Sequence, residues 1–157
     1  MVNSWSEHLS PDSLGSFRAV CVSSASLRSV SDNLEVQGFR AYAIDSTGVD
    51  NKTSLLAALA DCFGLMDHFT KGSSSWDAAS DLIWQALIER REKRVALLWE
   101  HADAMIASET QLFLDALEML YALGDTLERH EASADYYPVL LRIVLFGEGR
   151  SFPRWQS

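Results

Sequence analysis

The sequence has little of several features that define common classes of protein, and cysteine is the scarcest residue in it. Cys21 and Cys62 are the only two cysteines among 157 residues. Two thiols do not build the disulfide framework of a small secreted domain, and no cysteine or histidine spacing matches a metal site. We therefore expect two thiols in a reducing compartment, with no metal and no cofactor.

Long apolar runs are also missing, although 48% of the residues are hydrophobic. No stretch approaches the roughly 18 uninterrupted apolar residues that a membrane-spanning helix needs. The opening residues lack the basic start and following apolar core that are typical of a secretory leader. A cytoplasmic location follows as the expectation.

Positive charge is the third shortage. Lysine and arginine total 13 against 22 aspartates and glutamates, and the formal net charge is −9. Between Val95 and Asp135, Arg129 is the only Lys or Arg, and the acids there are Glu100, Asp103, Glu109, Asp115, Glu118, Asp125, Glu128, Glu131 and Asp135. An acidic surface repels phosphates, so we expect neither nucleic acid nor an anionic membrane as partner. A basic protein is the natural complement, and acidity that only confers solubility is the alternative.

The apolar pattern predicts one α/β domain in which strands alternate with helices. The predicted strands are Phe17–Val22, Phe39–Ile44, Val95–Trp99 and Pro138–Phe146, and the predicted helices cover 24–37, about 53–64, 76 onward, and about 108–123, where Gly124 can end the last one. This order, β-α-β-α-α-β-α-β, predicts a small parallel sheet flanked by helices, with right-handed crossovers. Residues 1–38 form a βα extension with an extra strand at one edge of the sheet, either edge being open; residues 39–146 form the core, and residues 147–157 form a tail.

The start of the helix at Trp76 carries two carboxylates one turn apart. Asp77 and Asp81 are spaced i,i+4, so both side chains leave the helix on one face, where like charges oppose each other. If Ser74 is the N-cap, Asp77 completes a capping-box-like pattern at the positive end of the helix dipole. Asp81 lies beyond the first turn and has no such explanation, while Trp84 follows it by three residues. We interpret Asp81 and Trp84 as part of a binding surface, and Trp76 as a core anchor.

Residues 39–146 resemble the barstar family, the intracellular inhibitors of guanyl-specific ribonucleases. The family pattern N-W-D-A-L-x-D-x-L corresponds here to S-W-D-A-A-S-D-L-I, from Ser75 to Ile83. The resemblance is also carried by Tyr42–Ser46, the Leu55-Leu56 and Leu59 helix, Phe69, Gly72 and Val95–Trp99. The departures are Ser80, where a large aromatic residue is frequent, Ser75 in place of asparagine, and one additional residue between Gly72 and Trp76.

The resemblance implies a fold, a partner and a set of contact residues. Family members present the motif helix and its preceding loop to the ribonuclease cleft, where the second motif aspartate replaces a substrate phosphate. By position this is Asp81, Asp77 is the first, and a third acid follows the next strand, with Glu109 as the nearest candidate. The implied protein is a non-enzymatic ribonuclease inhibitor or immunity protein, monomeric when free. The expected partner-binding residues are Asp81, Asp77, Trp84, Ser80, Ser74, Ser75 and Glu109.

Two other interpretations stay open at this stage. The first is a barstar-like interaction module whose partner is another nuclease toxin or a regulatory protein, which Ser80 and the N-terminal addition favour. The second is a small α/β enzyme that uses His101 and Asp103, because they follow a predicted strand where α/β sites are frequent. The sequence has no glycine-rich phosphate loop and no nucleophile elbow to support catalysis.

Overall fold

The structure, a computed structural model, describes residues 19–23, 27–65, 75–129 and 138–148. The described residues form four strands and five helices in the order β1 (Ala19–Ser23), α1 (Leu27–Val36), β2 (Arg40–Asp45), α2 (Lys52–Cys62), α3 (Trp76–Glu89), β3 (Arg94–Glu100), α4 (Ala102–Ser108), α5 (Thr110–Arg129) and β4 (Leu140–Gly147). Phe69, Gly72, Ser74 and the tail from residue 149 lie outside the described residues, as do residues 1–18. None of the described helices combines the length and the apolar character needed to cross a membrane.

The four strands form one parallel sheet in the order β1-β4-β3-β2. Leu98 of β3 pairs with Ala43 of β2 on one side and with Val144 of β4 on the other. The predicted fold class is therefore confirmed. The N-terminal strand adds to the edge next to β4, which answers the question that the sequence left open.

The two faces of the sheet are covered by different helices. The larger core contains Leu59 from α2, Leu87 from α3, Met105 from α4 and Leu120 from α5, together with every second residue of β3 and β4. The smaller core joins Val30 and Leu34 of α1 to the opposite face of the same strands, which explains why β3 and β4 are almost entirely apolar. The N-terminal extension thus covers a sheet face that would otherwise meet water, and α3 sits on the other side.

Two predictions about the segment after β3 are wrong. The sequence predicts no helix between β3 and about residue 108, whereas α4 occupies Ala102–Ser108. Gly124 does not end α5, which continues to Arg129 with Gly124 buried inside it. Leu123 and Leu127 extend the buried stripe past the glycine, so core packing outweighs the cost of about 1 kcal/mol that glycine imposes on a helix.

The thiol of Cys62 is protected by its surroundings. Burial raises the pKa of Cys62 to about 12, with a smaller contribution from the negative charge of Asp61. The group therefore stays protonated at neutral pH and is a poor nucleophile. The sequence predicts a small buried thiol, and Cys62 is half-buried and packs against the larger core, while the side chain of Cys21 lies outside the described residues.

Candidate acidic interface on helix α3

Helix α3 begins one residue later than the predicted cap implies. Ser75 is the N-cap, with extended backbone angles, and its Oγ accepts a hydrogen bond from the backbone N of Ala78 at 3.3 Å. The cap is therefore Ser75 and not Ser74, and Asp77 is the second residue of the helix rather than part of a capping box. Asp77 still lies in the first turn, where the helix dipole favours a negative charge.

Asp77 and Asp81 both face solvent. The two residues are exposed, and no hydrogen bond or ion pair with the described part of the chain engages either carboxylate. Ile83, Ala86 and Leu87 of α3 are buried in the larger core, so the helix is fixed to the core on that side. The chain thus fixes two adjacent negative charges in place without neutralising them.

A groove separates α3 from α5, and we call it the acidic groove. It has a volume of about 480 Å³ and is lined by Trp76, Asp77, Ser80, Asp115, Glu118, Met119 and Ala122. Three of these residues carry carboxylates and three are apolar. Asp115 is oriented by Gln111, whose Nε2 donates to Asp115 Oδ1 at 2.8 Å. A cavity that is lined by both apolar and acidic residues suits a basic side chain with an alkyl or planar stem.

Trp76 connects the groove to the core. It is half-buried and packs against the larger core, as expected for an anchor, and it also lines the acidic groove. The ammonium group of Lys52, at the start of α2, lies 5.4 Å from the centre of the Trp76 ring. This cation–π contact ties the first turn of α3 to the first turn of α2.

A second cavity lies beside Asp81, and we call it the Trp84 pocket. It has a volume of about 400 Å³ and is lined by Asp81, Trp84, Gln85, Ile88 and Glu89. Trp84 is half-buried and Ile88 is buried, so the apolar part of the pocket is set into the surface rather than raised above it. The structure therefore brings Asp81 and Trp84 to one cavity, as the i,i+3 spacing predicts.

The structure places Glu109, the candidate for the third acid, away from the acidic groove. Glu109 is half-buried between α4 and α5, where its backbone N donates to Met105 O at 2.7 Å, and it does not line the acidic groove. Asp115 and Glu118 of α5 do line it. The i,i+3,i+7 pattern of Asp115, Glu118 and Ala122 marks one side of α5, but the sequence does not say which side faces α3.

His101 and Asp103, the two residues that the enzyme interpretation uses, contact different partners in the described part of the chain. His101 has a left-handed backbone, with φ 59°, and its Nδ1 lies 3.1 Å from Asp45 Oδ1. Asp103 instead accepts a hydrogen bond from the backbone N of Glu148 at 3.0 Å. Hydrogen bonds from Thr47 lower the pKa of Asp45, and His101 adds to the effect. The contact between Asp45 and His101 connects the turn after β2 to the turn after β3.

Metal binding has no support in the described residues, which contain no group of three or more His, Cys, Asp or Glu side chains placed to hold an ion. The described part of the site therefore consists of exposed carboxylates on a packed helix, flanked by two cavities. Such a surface can bind cationic groups, and it shows no arrangement of nucleophile and base.

Comparison with known proteins supplies a family. No curated protein matches the chain. The family model described as barstar, the barnase inhibitor, matches residues 39–137, which contain the second to the fifth helix and both strands β2 and β3. The match spans more than half of the sequence and includes the acidic face of α3. The chain therefore belongs to the barstar family.

Proposed function

We propose that this protein inhibits a basic ribonuclease of the guanyl-specific type. In this proposal the carboxylate of Asp81 occupies the place where the enzyme binds substrate phosphate. The observation that carries the proposal is the exposed Asp81 carboxylate, which has no partner among the described residues although it sits on a firmly packed helix. Family membership supports the inhibitory activity in general terms. The target, the mechanism and the contact residues are the proposal.

The mechanism follows from what a ribonuclease cleft contains. Such a cleft concentrates Arg, Lys and His side chains that stabilise a negatively charged phosphate in the transition state. A carboxylate accepts hydrogen bonds from the same groups, and charge-assisted hydrogen bonds are stronger than neutral ones. When Asp81 occupies this position, substrate RNA is excluded.

The rigidity of α3 contributes to affinity. Ile83, Ala86 and Leu87 fix the helix to the core, so binding orders few additional torsions in the inhibitor. The net charge of −9 attracts a basic enzyme over a distance and speeds the encounter. This attraction is screened by salt, so we expect the association rate to fall as ionic strength rises.

The acidic groove supports a second contact. Asp77, Asp115 and Glu118 line the groove together with Trp76. An arginine of the partner can lie against the exposed part of the ring while its guanidinium meets the carboxylates. Ser80 is small and leaves the groove open. In this proposal Glu118, rather than Glu109, is the third acidic contact, and Ser75 acts as the cap that fixes the first turn.

The same proposal places the protein in the cytoplasm as a monomer that protects the cell from its own nuclease. An immunity protein must meet its toxin before the toxin meets cellular RNA, which requires the same compartment. A monomer leaves the α3 face accessible. Gel filtration at several concentrations tests the monomeric state.

The test is an RNA-cleavage assay with a panel of purified basic ribonucleases. We expect inhibition of at least one guanyl-specific enzyme, and a loss of about 100-fold or more in affinity for Asp81→Ala, because a buried charged hydrogen bond then loses one partner. Asp32→Ala is the matched control, since Asp32 is an exposed aspartate on α1 across the sheet. Equal losses in the two variants would show that overall charge, and not a placed carboxylate, is responsible.

Another nuclease toxin as the partner is the second candidate. The open acidic groove next to Ser80 favours it, because a different partner side chain can fill the space. Inhibition of a DNA-cleaving enzyme, with none of the ribonucleases inhibited, would replace the first proposal by this one.

A further inference from the structure

We propose that the Trp84 pocket binds an arginine side chain of the partner and that Trp84 and Glu89 thereby help to select which nuclease is inhibited. The inference rests on the proposed function, since it places a second specific contact along the same helix. It extends the interface from the first two turns of α3 to its last turn.

The position of the pocket follows from the helix geometry. Asp77, Asp81, Gln85 and Glu89 are spaced by four residues, and all four are exposed. At about 1.5 Å per residue, the distance along the axis from Asp81 to Glu89 is roughly 12 Å. A partner that engages Asp81 therefore passes over Trp84 and Ile88 before it reaches Glu89.

The lining of the pocket combines an apolar floor with an acidic rim. Trp84 and Ile88 give the floor, while Asp81 and Glu89 give negative charges at its two ends. Gln85 Nε2 donates to Glu89 Oε1 at 3.1 Å, which restrains the Glu89 side chain against its neighbour on the helix. That hydrogen bond leaves Glu89 Oε2 and the side-chain Oε1 of Gln85 as acceptors that no described residue uses.

Charge complementarity selects a cationic occupant. Neither lysine nor arginine is among the described residues of the lining, so none of them supplies a cation to the two carboxylates of the pocket. An apolar or anionic side chain would remove these carboxylates from water without compensation, which is unfavourable. A cationic side chain gives each of them a partner.

Arginine fits the pocket better than lysine. Its planar guanidinium stacks on an indole ring and carries five N–H donors in a fixed fork, so it can contact Trp84 and a carboxylate at the same time. Its methylene stem covers an apolar residue such as Ile88. A lysine ammonium is more strongly hydrated and lacks the flat surface.

The first test measures inhibition of the nuclease identified by the panel. We expect Trp84→Leu to weaken inhibition about tenfold and Glu89→Gln about two- to fivefold, because Glu89 is exposed and only its charge changes. Glu35→Gln removes the same charge on α1, across the sheet, and we expect no change. Unchanged inhibition in both pocket variants, with Asp81→Ala impaired, would overturn this inference and leave the proposed function intact.

The second test does not need the nuclease. Hexa-arginine and hexalysine are titrated into ¹⁵N-labelled protein, and the indole N–H signal of Trp84 is followed by NMR. We expect hexa-arginine to shift this signal more than hexalysine does, and Glu89→Gln to weaken the response. If the Trp84 signal does not move, or moves equally with both peptides, the pocket does not recognise arginine, whatever the outcome of the ribonuclease panel. Thermal melts of both variants verify that the fold is retained.

Discussion

Two charged regions of the molecule differ in whether their charge is neutralised within the chain. Arg142 on β4 is 1% exposed, and its Nη1 donates to Glu128 Oε1 of α5 at 2.9 Å. Asp81 on α3 is exposed, and none of the described residues pairs with it. The first charge is neutralised inside the chain and holds a helix to the sheet. The second is left uncompensated, and this difference indicates which charges serve the fold and which are available to a partner.

The largest effect on stability is expected at the buried pair. Glu128→Ala leaves the Arg142 guanidinium buried without its counter-charge, and we expect the free energy of unfolding to fall by about 3 kcal/mol. Urea denaturation measures the change. Inhibition by the remaining folded protein should be unaffected, because Glu128 does not line either cavity of the α3 face. A stability loss as small as that of an exposed acid such as Glu35 would contradict the first half of the comparison.

The cap of α3 is the next expected effect. Ser75→Ala removes the hydrogen bond that the cap accepts from Ala78, and we expect a loss of about 1 kcal/mol in stability. Ser75→Asp should keep the cap and most of the stability. If the alanine variant is as stable as the wild-type protein, then the helix does not begin at Trp76 as described.

The third acid can be identified by a pair of variants. Glu118→Gln should weaken inhibition by about 1 kcal/mol, because a charged hydrogen bond in the acidic groove becomes a neutral one. Glu109→Gln should leave inhibition unchanged, and neither change should alter the melting temperature by much. The reverse result would identify Glu109, the candidate that the resemblance implies, as the third acidic contact.

The smallest effect concerns pH. Hydrogen bonds from Thr47 and the contact with His101 lower the pKa of Asp45 from its usual value of 3.8. A lowered pKa in the folded state contributes stability that is present at neutral pH and lost as the pH falls below about 4 through the folded value. Asp45→Asn should lose less stability than the wild-type protein over that acidic range. Denaturation of both proteins at pH 7 and at pH 3 gives the free energy of unfolding that each loses on acidification. Equal losses in the two proteins would argue against this contribution of Asp45.

The sequence predicted the sheet well because the strands leave strong local signals. Val95–Trp99 is uninterrupted and apolar, and β2 alternates between exposed and buried side chains, so each pattern identifies its strand. The helix boundaries were less predictable. Gly124 is a typical signal for the end of a helix, but Leu123 and Leu127 on either side of it are buried. Only the packing of α5 decides whether the helix ends at Gly124 or continues past it.

The candidate site was predictable only where it lies on one element. The shared face of Asp77 and Asp81 follows from helical periodicity, and so does the closeness of Asp81 to Trp84. Asp115 and Glu118 were missed because their approach to α3 depends on how two helices cross, which no local pattern encodes. The N-cap was misplaced by one residue since a run of three serines offers three equivalent candidates.

The most direct test of the account is Asp81→Asn, with inhibition and stability measured on the same sample. The substitution keeps the shape of the side chain and removes its charge. We predict a loss of inhibition of about 100-fold, together with a stability that is unchanged or higher by about 0.2–0.5 kcal/mol, since the repulsion from Asp77 is relieved. Retained inhibition, or a loss of inhibition that only accompanies unfolding, would contradict the claim that this carboxylate is held free for a partner.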